Sequence, residues 1–115
     1  MIEVRYPHMR SELQHGLAGI LRPIEGGRDF DARMNLLDHL IHFVYDDTTL
    51  ASDPSAAIGW YLRDMSEASA VRKFVSALDA FFDRWGIEHS DESYFSNPEW
   101  LEVERLGEDL LAMLR

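Results

Sequence analysis

"SEASAVRKFVSALDAFFDRWG", residues 66 to 86, decides the fold. Within it Val71, Phe74, Val75, Leu78, Phe81, Phe82 and Trp85 recur at i, i+3, i+4 and i+7, the spacing that lines apolar side chains along one face of an α-helix. The polar "SEAS" supplies an entry and Gly86 a stop. A helix of this kind must bury its stripe, and the flanking sequence offers more helices to bury it against. Toward the C-terminus, Asn97 stands as an N-cap, Pro98 as the first helical residue and Glu99 near the positive helix end. Trp100, Val103, Leu106, Leu110 and Leu114 then form an apolar face.

Toward the N-terminus, Phe30, Met34, Leu37, Ile41 and Val44 predict a second helix over about 29–45, widened by Leu36, Leu40 and Phe43 into a stripe broad enough for contacts on two sides. A first helix over about 9–21 carries Met9, Leu13, Leu17 and Ile20, with Pro7 just ahead and "RPIEGGRD" ending it. Gly16 and Gly19 each weaken that helix by about 1 kcal/mol relative to Ala, so tertiary contacts must hold it. No pair of segments alternates as strands do. The expected fold is therefore all-α: a single helical, bundle-like domain over residues 1–115, with four main helices plus one or two short ones.

Two connecting stretches read less simply. "DDTTLASDPSAAIGWYLRD" has turn chemistry at Asp53-Pro54 and then an apolar run, Ile58 to Leu62, that suits either a helical turn or a short extended piece. Residues 86 to 98 read as an acidic loop holding two aromatic residues. Trp60, Phe95 and Trp100 are expected to fold inward, whereas Tyr94 is expected to show at least its hydroxyl.

Charge narrows the function classes. The chain has 115 residues, 21 Asp+Glu against 11 Lys+Arg and a formal net charge of −10. Such a field repels phosphate backbones and anionic membrane surfaces, attracts basic proteins and speeds their association. Neither nucleic acid nor membrane is an expected partner. The absence of cysteine removes disulfides, thiol catalysis and thiolate zinc sites. The N-terminus "MIEVRYPHMR" lacks an apolar signal core, and no stretch approaches the ~20 apolar residues of a membrane span. A cytoplasmic protein is expected.

Catalytic motifs are wanting. There is no G-x-S-x-G elbow, and Gly26-Gly27 lacks the Lys-Ser/Thr of a P-loop. Asp38, His39, His42 and Asp46 share a helical face with spacing that suits part of a metal site, but no H-E-x-x-H or Glu-x-x-His partner is present elsewhere. A solvated face with His-carboxylate hydrogen bonds is the simpler reading of that line. The expectation is a non-enzyme with no cofactor. The alternatives are a regulatory or adaptor module that binds a basic protein and, behind it, a small metal-dependent enzyme built on those four residues.

The acids themselves fall into two groups. From Gly86 onward, Glu88, Asp91, Glu92, Glu99, Glu102, Glu104, Glu108 and Asp109 face only Arg105 and Arg115, eight acids against two bases, so this quarter carries −6 of the net −10. Asp46, Asp47, Asp53, Asp64 and Glu67 lie in and around the connection before residues 66–86, where loops are free to contact a partner. Aromatic residues interleave both groups, as apolar anchors with charged rims do in protein interfaces.

"YPHMR" near the N-terminus, "VYDD" at 44–47, "DPSAAIGWYLRD" at 53–64, "SALDAFFDRWG" at 76–86 and "DESYFSNPEWLEV" at 91–103 together resemble a family of small, acidic, all-helical bacterial proteins. Most are of unknown function, and some are similar to immunity proteins of contact-dependent inhibition and other polymorphic toxin systems. The resemblance implies one-to-one capture of a cognate toxin domain, a basic nuclease above all, whose active-site cleft is covered by the acidic surface. On that reading Asp46, Asp47, Asp53, Asp64, Glu67, Glu88, Asp91, Glu92 and Tyr94 face the partner.

Overall fold

In the computed structural model, residues 4–21, 37, 39–88 and 91–115 are described, Asp91 and Glu92 by their backbone alone. Helix α1 covers Pro7–Leu21, and a π-helical turn covers His42–Asp47. A 3-10 helix follows at Pro54–Ala57, then α2 at Met65–Trp85, α3 at Asp91–Ser96 and α4 at Trp100–Leu114. Among the described residues there is no strand; Ile58 and Leu62 form an isolated parallel bridge.

The all-α expectation holds, and the central stripe behaves as its spacing predicts. Val71, Phe74, Val75, Leu78 and Phe81 are buried, while Trp85 at the helix end is 40% exposed. The ends of α2 follow from local chemistry. Asp64 is the N-cap, its side chain accepting the Glu67 N–H at 3.0 Å, and Gly86 ends the helix at φ 81° with its N–H on the Phe82 carbonyl. Helix α4 lies antiparallel along α2. Arg84 meets Glu99 at 3.0 Å at one end, and Met65 and Met113 line one groove at the other. Asn97, expected as the N-cap, lies instead two residues ahead of the N-cap Glu99, in the turn that leads into α4, where its Oδ1 accepts the Glu99 N–H at 2.9 Å.

Helix α1 packs antiparallel against α4, and glycines permit two close approaches in the core, Gly16 of α1 to Leu40 and Gly107 of α4 to Phe74 of α2. A Cβ on Gly16 would lie 3.1 Å from Leu40 Cδ1, and one on Gly107 would lie 3.1 Å from Phe74 Cε1. Gly16 thus costs α1 helix propensity and returns close packing. Most of the helix expected over 29–45 lies outside the described residues, as do Phe30, Met34, Asn35 and Leu36. Its described C-terminal part is α-helical through Ile41 and then widens into the π turn.

The two ambiguous stretches resolve as follows. Residues 53–62 form the 3-10 helix and then the bridged turn around Gly59, whose φ of 88° a side chain would strain. Residues 91–96, expected as loop, form helix α3. Its Tyr94 ring packs edge-on against Phe81 and Phe82, with centroids at 5.6 and 5.4 Å, which supplies the tertiary burial that so short a helix needs.

One buried polar assembly ties these elements together. Arg10 of α1 and Glu67 of α2 are 5% and 4% exposed and form a bidentate pair with both N···O distances at 2.8 Å. Arg10 also donates to the Leu114 carbonyl through Nε at 3.2 Å and Nη2 at 2.8 Å, and to the Tyr61 carbonyl through Nη1 at 3.1 Å. Those bonds account for all five guanidinium N–H groups. The Leu114 carbonyl is one of the four that a helix C-terminus leaves without an intrahelical donor, and a cation there also meets the negative end of the helix dipole. Gln14 adds a third donor to the same oxygen at 2.7 Å.

Candidate functional site

The π turn coincides with "HFVYDD", the residues that the sequence marks most strongly. A π turn takes one more residue per hydrogen-bonded ring than an α turn and is found frequently at functional sites. Here its free carbonyls are met locally: Thr48 Oγ1 donates to the Phe43 carbonyl at 2.6 Å and the Ala51 N–H to the Val44 carbonyl at 3.1 Å. Phe43 and Val44 point into the core, while His42, Asp46 and Asp47 remain exposed. Asp46 Oδ2 lies 2.7 Å from His42 Nδ1, one helical turn back.

Beside the turn, two separate backbone segments build an aromatic platform. The Arg5 N–H donates to the Gly59 carbonyl at 3.0 Å and the Tyr6 N–H to the Trp60 carbonyl at 2.7 Å, which pins residues 5–6 against 59–60. The Tyr6 and Trp60 rings stack with centroids 5.3 Å apart at 16°. The guanidinium carbon of Arg5 lies 5.2 Å from the Trp60 ring centroid. Trp60, expected to fold inward, is instead 43% exposed. The turn at Gly59 assigns the inward position to Tyr61, whose ring packs against Phe43 at 5.8 Å, and leaves Trp60 facing out.

Between platform and π turn lies a cleft of about 450 Å3. Tyr6, Met9, Trp60 and Tyr61 supply apolar walls, and Asp47, Thr48 and Thr49 supply the polar side. Burial pushes the Tyr61 phenol up, and a hydrogen bond with Thr48 opposes that shift.

The nine residues expected to face a partner divide sharply. Asp46, Asp47 and Asp53 are exposed and sit on one short connector, where the Asp53 N–H donates to the Thr49 carbonyl at 2.8 Å and Asp53 Oδ1 accepts from Ser55 at 2.7 Å. Asp64 is exposed but engaged as the α2 cap. Glu67 is a correction: it is buried in the Arg10 pair and offers no surface to a partner. Burial raises its pKa, but hydrogen bonds from Arg10 and the Arg63 N–H, with the charges of both arginines, outweigh burial and hold the carboxyl below its ordinary value.

Tyr94 is a second correction. It is 5% exposed, and its hydroxyl donates inward to the Gly86 carbonyl at 2.8 Å. Glu88 is exposed beyond the C-terminal end of α2. The side chains of Asp91 and Glu92 lie outside the described residues. Asp64 and Glu88 sit at opposite ends of a helix about 30 Å long at 1.5 Å per residue, too far apart to serve one compact site. The structure thus gathers Asp46, Asp47 and Asp53 and separates them from the Glu88 end.

Sequence reasoning missed Asp79 and Asp83. Both are exposed on α2 beside Tyr45, whose hydroxyl donates to Asp79 at 2.5 Å. Burial, that hydrogen bond and the charges of Asp79 and Asp83 together push the Tyr45 phenol well above its ordinary range. Their i, i+4 spacing on the polar face of α2 was the available signal. For the line of Asp38, His39, His42 and Asp46, Asp38 lies outside the described residues. Among the described residues, no group of three or more His, Asp or Glu side chains is placed to hold a metal ion.

The family model for a domain of unknown function, DUF7945, matches residues 4–114, and the chain belongs to that family. No curated protein and no solved structure matches it. Among the described residues, no helix is long and apolar enough to cross a membrane.

Proposed function

We propose that this DUF7945 protein is a non-enzymatic inhibitor of the immunity type, which binds a cognate toxin domain one-to-one and covers its basic active-site cleft. The observation that carries the reading is the connector surface: Asp46, Asp47 and Asp53 stand exposed on one short connector, with Asp47 lining an aromatic cleft, in a chain of net charge −10. A nuclease is the partner class that suits it best, because an enzyme that binds phosphates presents a basic cleft and an acidic protein complements it in charge. The family description names no activity, so the toxin as partner rests on the sequence resemblance, and the acidic, anchored surface supports it.

The test is calorimetric titration of the purified chain with the product of the adjacent gene, at low and high salt. One-to-one binding in the nanomolar range that weakens as salt rises is the expected result. Absence of binding at both salts removes the toxin as partner. Binding that leaves the partner's activity intact would favour instead a regulatory module that docks on a basic protein.

A further inference from the structure

We propose that the buried Arg10–Glu67 pair is a register lock for the turn at residues 59–63, holding Trp60 on the surface and Tyr61 in the core. These adjacent aromatic residues have opposite fates: Trp60 is 43% exposed and Tyr61 5%. Apolar burial is non-directional and does not by itself choose between them. A one-residue shift would carry Trp60 into the place of Tyr61 against Phe43, as a register slip does in a strand. Gly59, at φ 88° and with nothing within 4 Å of the position a Cβ would take, offers little resistance to such a shift.

Directional contacts supply the choice, and the buried ones come from the pair. Arg10 Nη1 donates to the Tyr61 carbonyl at 3.1 Å, and the Arg63 N–H donates to Glu67 Oε1 at 2.7 Å. The main chain is thereby gripped on both sides of Leu62. Arg10 Nη1 also donates to that same Glu67 Oε1 at 2.8 Å, so one charge-assisted bond joins the two grips. Both side chains are fixed from elsewhere, Arg10 by the Leu114 carbonyl at the end of α4 and Glu67 by its place in the first turn of α2.

A shifted turn would withdraw a carbonyl from Arg10 and an N–H from Glu67, where burial keeps water from replacing them. Fixing one packing among several is the best attested use of buried polar and ionic groups. The bonds from the Arg5 and Tyr6 N–H groups to the Gly59 and Trp60 carbonyls lie at the exposed edge of the turn, where water can take their place. A rival directional contact also favours Tyr61 inside, the hydrogen bond of its hydroxyl with Thr48.

The experiment is NMR of the whole chain, reading the Trp60 indole N–H and the NOEs of the Phe43 ring. The unaltered chain should give one Trp60 signal and, of the two neighbours, Phe43 NOEs to Tyr61 alone. Arg10→Lys keeps the charge but loses the planar fork, and Glu67→Gln keeps the shape but loses the charge. Each should bring up a second Trp60 signal, with NOEs to Phe43, in at least about a tenth of the molecules. Gly107→Val, which crowds Phe74, should leave a single register, so that general destabilisation does not account for the result. Tyr61→Phe removes the Thr48 bond and leaves the pair intact, and Trp60 should stay outward.

A single register in both Arg10→Lys and Glu67→Gln, with Phe43 still against Tyr61, would overturn the inference. So would a second register in Gly107→Val, which would assign the choice to overall tightness of packing, or in Tyr61→Phe, which would assign it to the Thr48 bond. Should both pair variants lose their fold, Tyr61→Phe decides: Trp60 outward keeps the lock, and Trp60 against Phe43 removes it.

Discussion

Asp47 and Glu67 carry the same charge and lie on either side of the connection that holds the 3-10 helix, yet their surroundings give them opposite roles. Around Glu67, four chain segments converge, and Arg10 directs all five of its N–H groups at Glu67 and at the carbonyls of Tyr61 and Leu114. Around Asp47 there is open solvent on one side and an aromatic cleft on the other. Taking a carboxylate out of water costs several kcal/mol unless partners replace the lost hydration. Arg10 provides that replacement for Glu67, and the acid becomes part of the scaffold. Asp47 keeps its hydration, so its charge acts outward and is available to a partner.

The contrast predicts a graded series of effects. The largest follows from stranding the buried acid: Arg10→Met should cost about 3–5 kcal/mol in urea unfolding, because Glu67 is left charged and unpaired. A loss under about 1 kcal/mol would mean that the pair is solvated in solution and the contrast with Asp47 is illusory.

Next is the response to acid. The folded pKa of Glu67 is held below its ordinary value of 4.5, so its contribution to stability is complete above that value. It is lost as pH falls through the depressed folded pKa. Thermal unfolding followed from pH 6 downward should show stability falling below about 4.5, and Glu67→Gln should flatten part of that slope while costing about 1–3 kcal/mol at neutral pH.

Packing gives a comparable loss with no pH signature. Gly107→Val should cost about 1–3 kcal/mol by forcing the new side chain against Phe74, and its effect should be constant across the same pH range. A smaller loss, about 1 kcal/mol, is expected for Asp64→Ala, which removes the cap from α2 and nothing buried.

The smallest effect on stability sharpens the comparison from the other side. Asp46→Asn combined with Asp47→Asn should change unfolding free energy by less than about 0.5 kcal/mol. The same double variant should slow association with a basic partner and reduce its salt dependence, as measured by stopped-flow fluorescence. A large stability loss without a change in association would assign these aspartates to the scaffold along with Glu67.

Much of this organisation was legible because helical periodicity is a local property. The stripe from Val71 to Phe81, the Gly86 stop and the Asn97 turn each follow from spacing and capping chemistry within a few residues. The Arg10–Glu67 assembly left only a faint signal, and the sequence reading placed Glu67 on the partner-facing surface instead. Arg10 falls three residues before Leu13 on the buried line of α1, and Glu67 falls four residues before Val71 on that of α2. One cation and one anion, each on an otherwise apolar stripe, are what an internal ion pair requires. Trp60 and Tyr94 were harder, since an aromatic residue amid acids suits either an anchor on the surface or a lid on the core. Their exposure depends on the backbone direction at Gly59 and on the packing of α3 over Phe81 and Phe82.

By itself the sequence determined that the chain is helical, that no cysteine chemistry is open to it, and that its surface is strongly acidic, because periodicity, composition and charge require no knowledge of neighbours. Which acids are surface and which are scaffold was decided only by tertiary structure. A carboxylate's role depends on whether a distant residue, here Arg10 against Glu67, arrives to replace its water. The cleft beside Trp60 is likewise a product of folding, since residues 5–6, 47–49 and 59–61 meet there through backbone hydrogen bonds and ring contacts that no local pattern encodes.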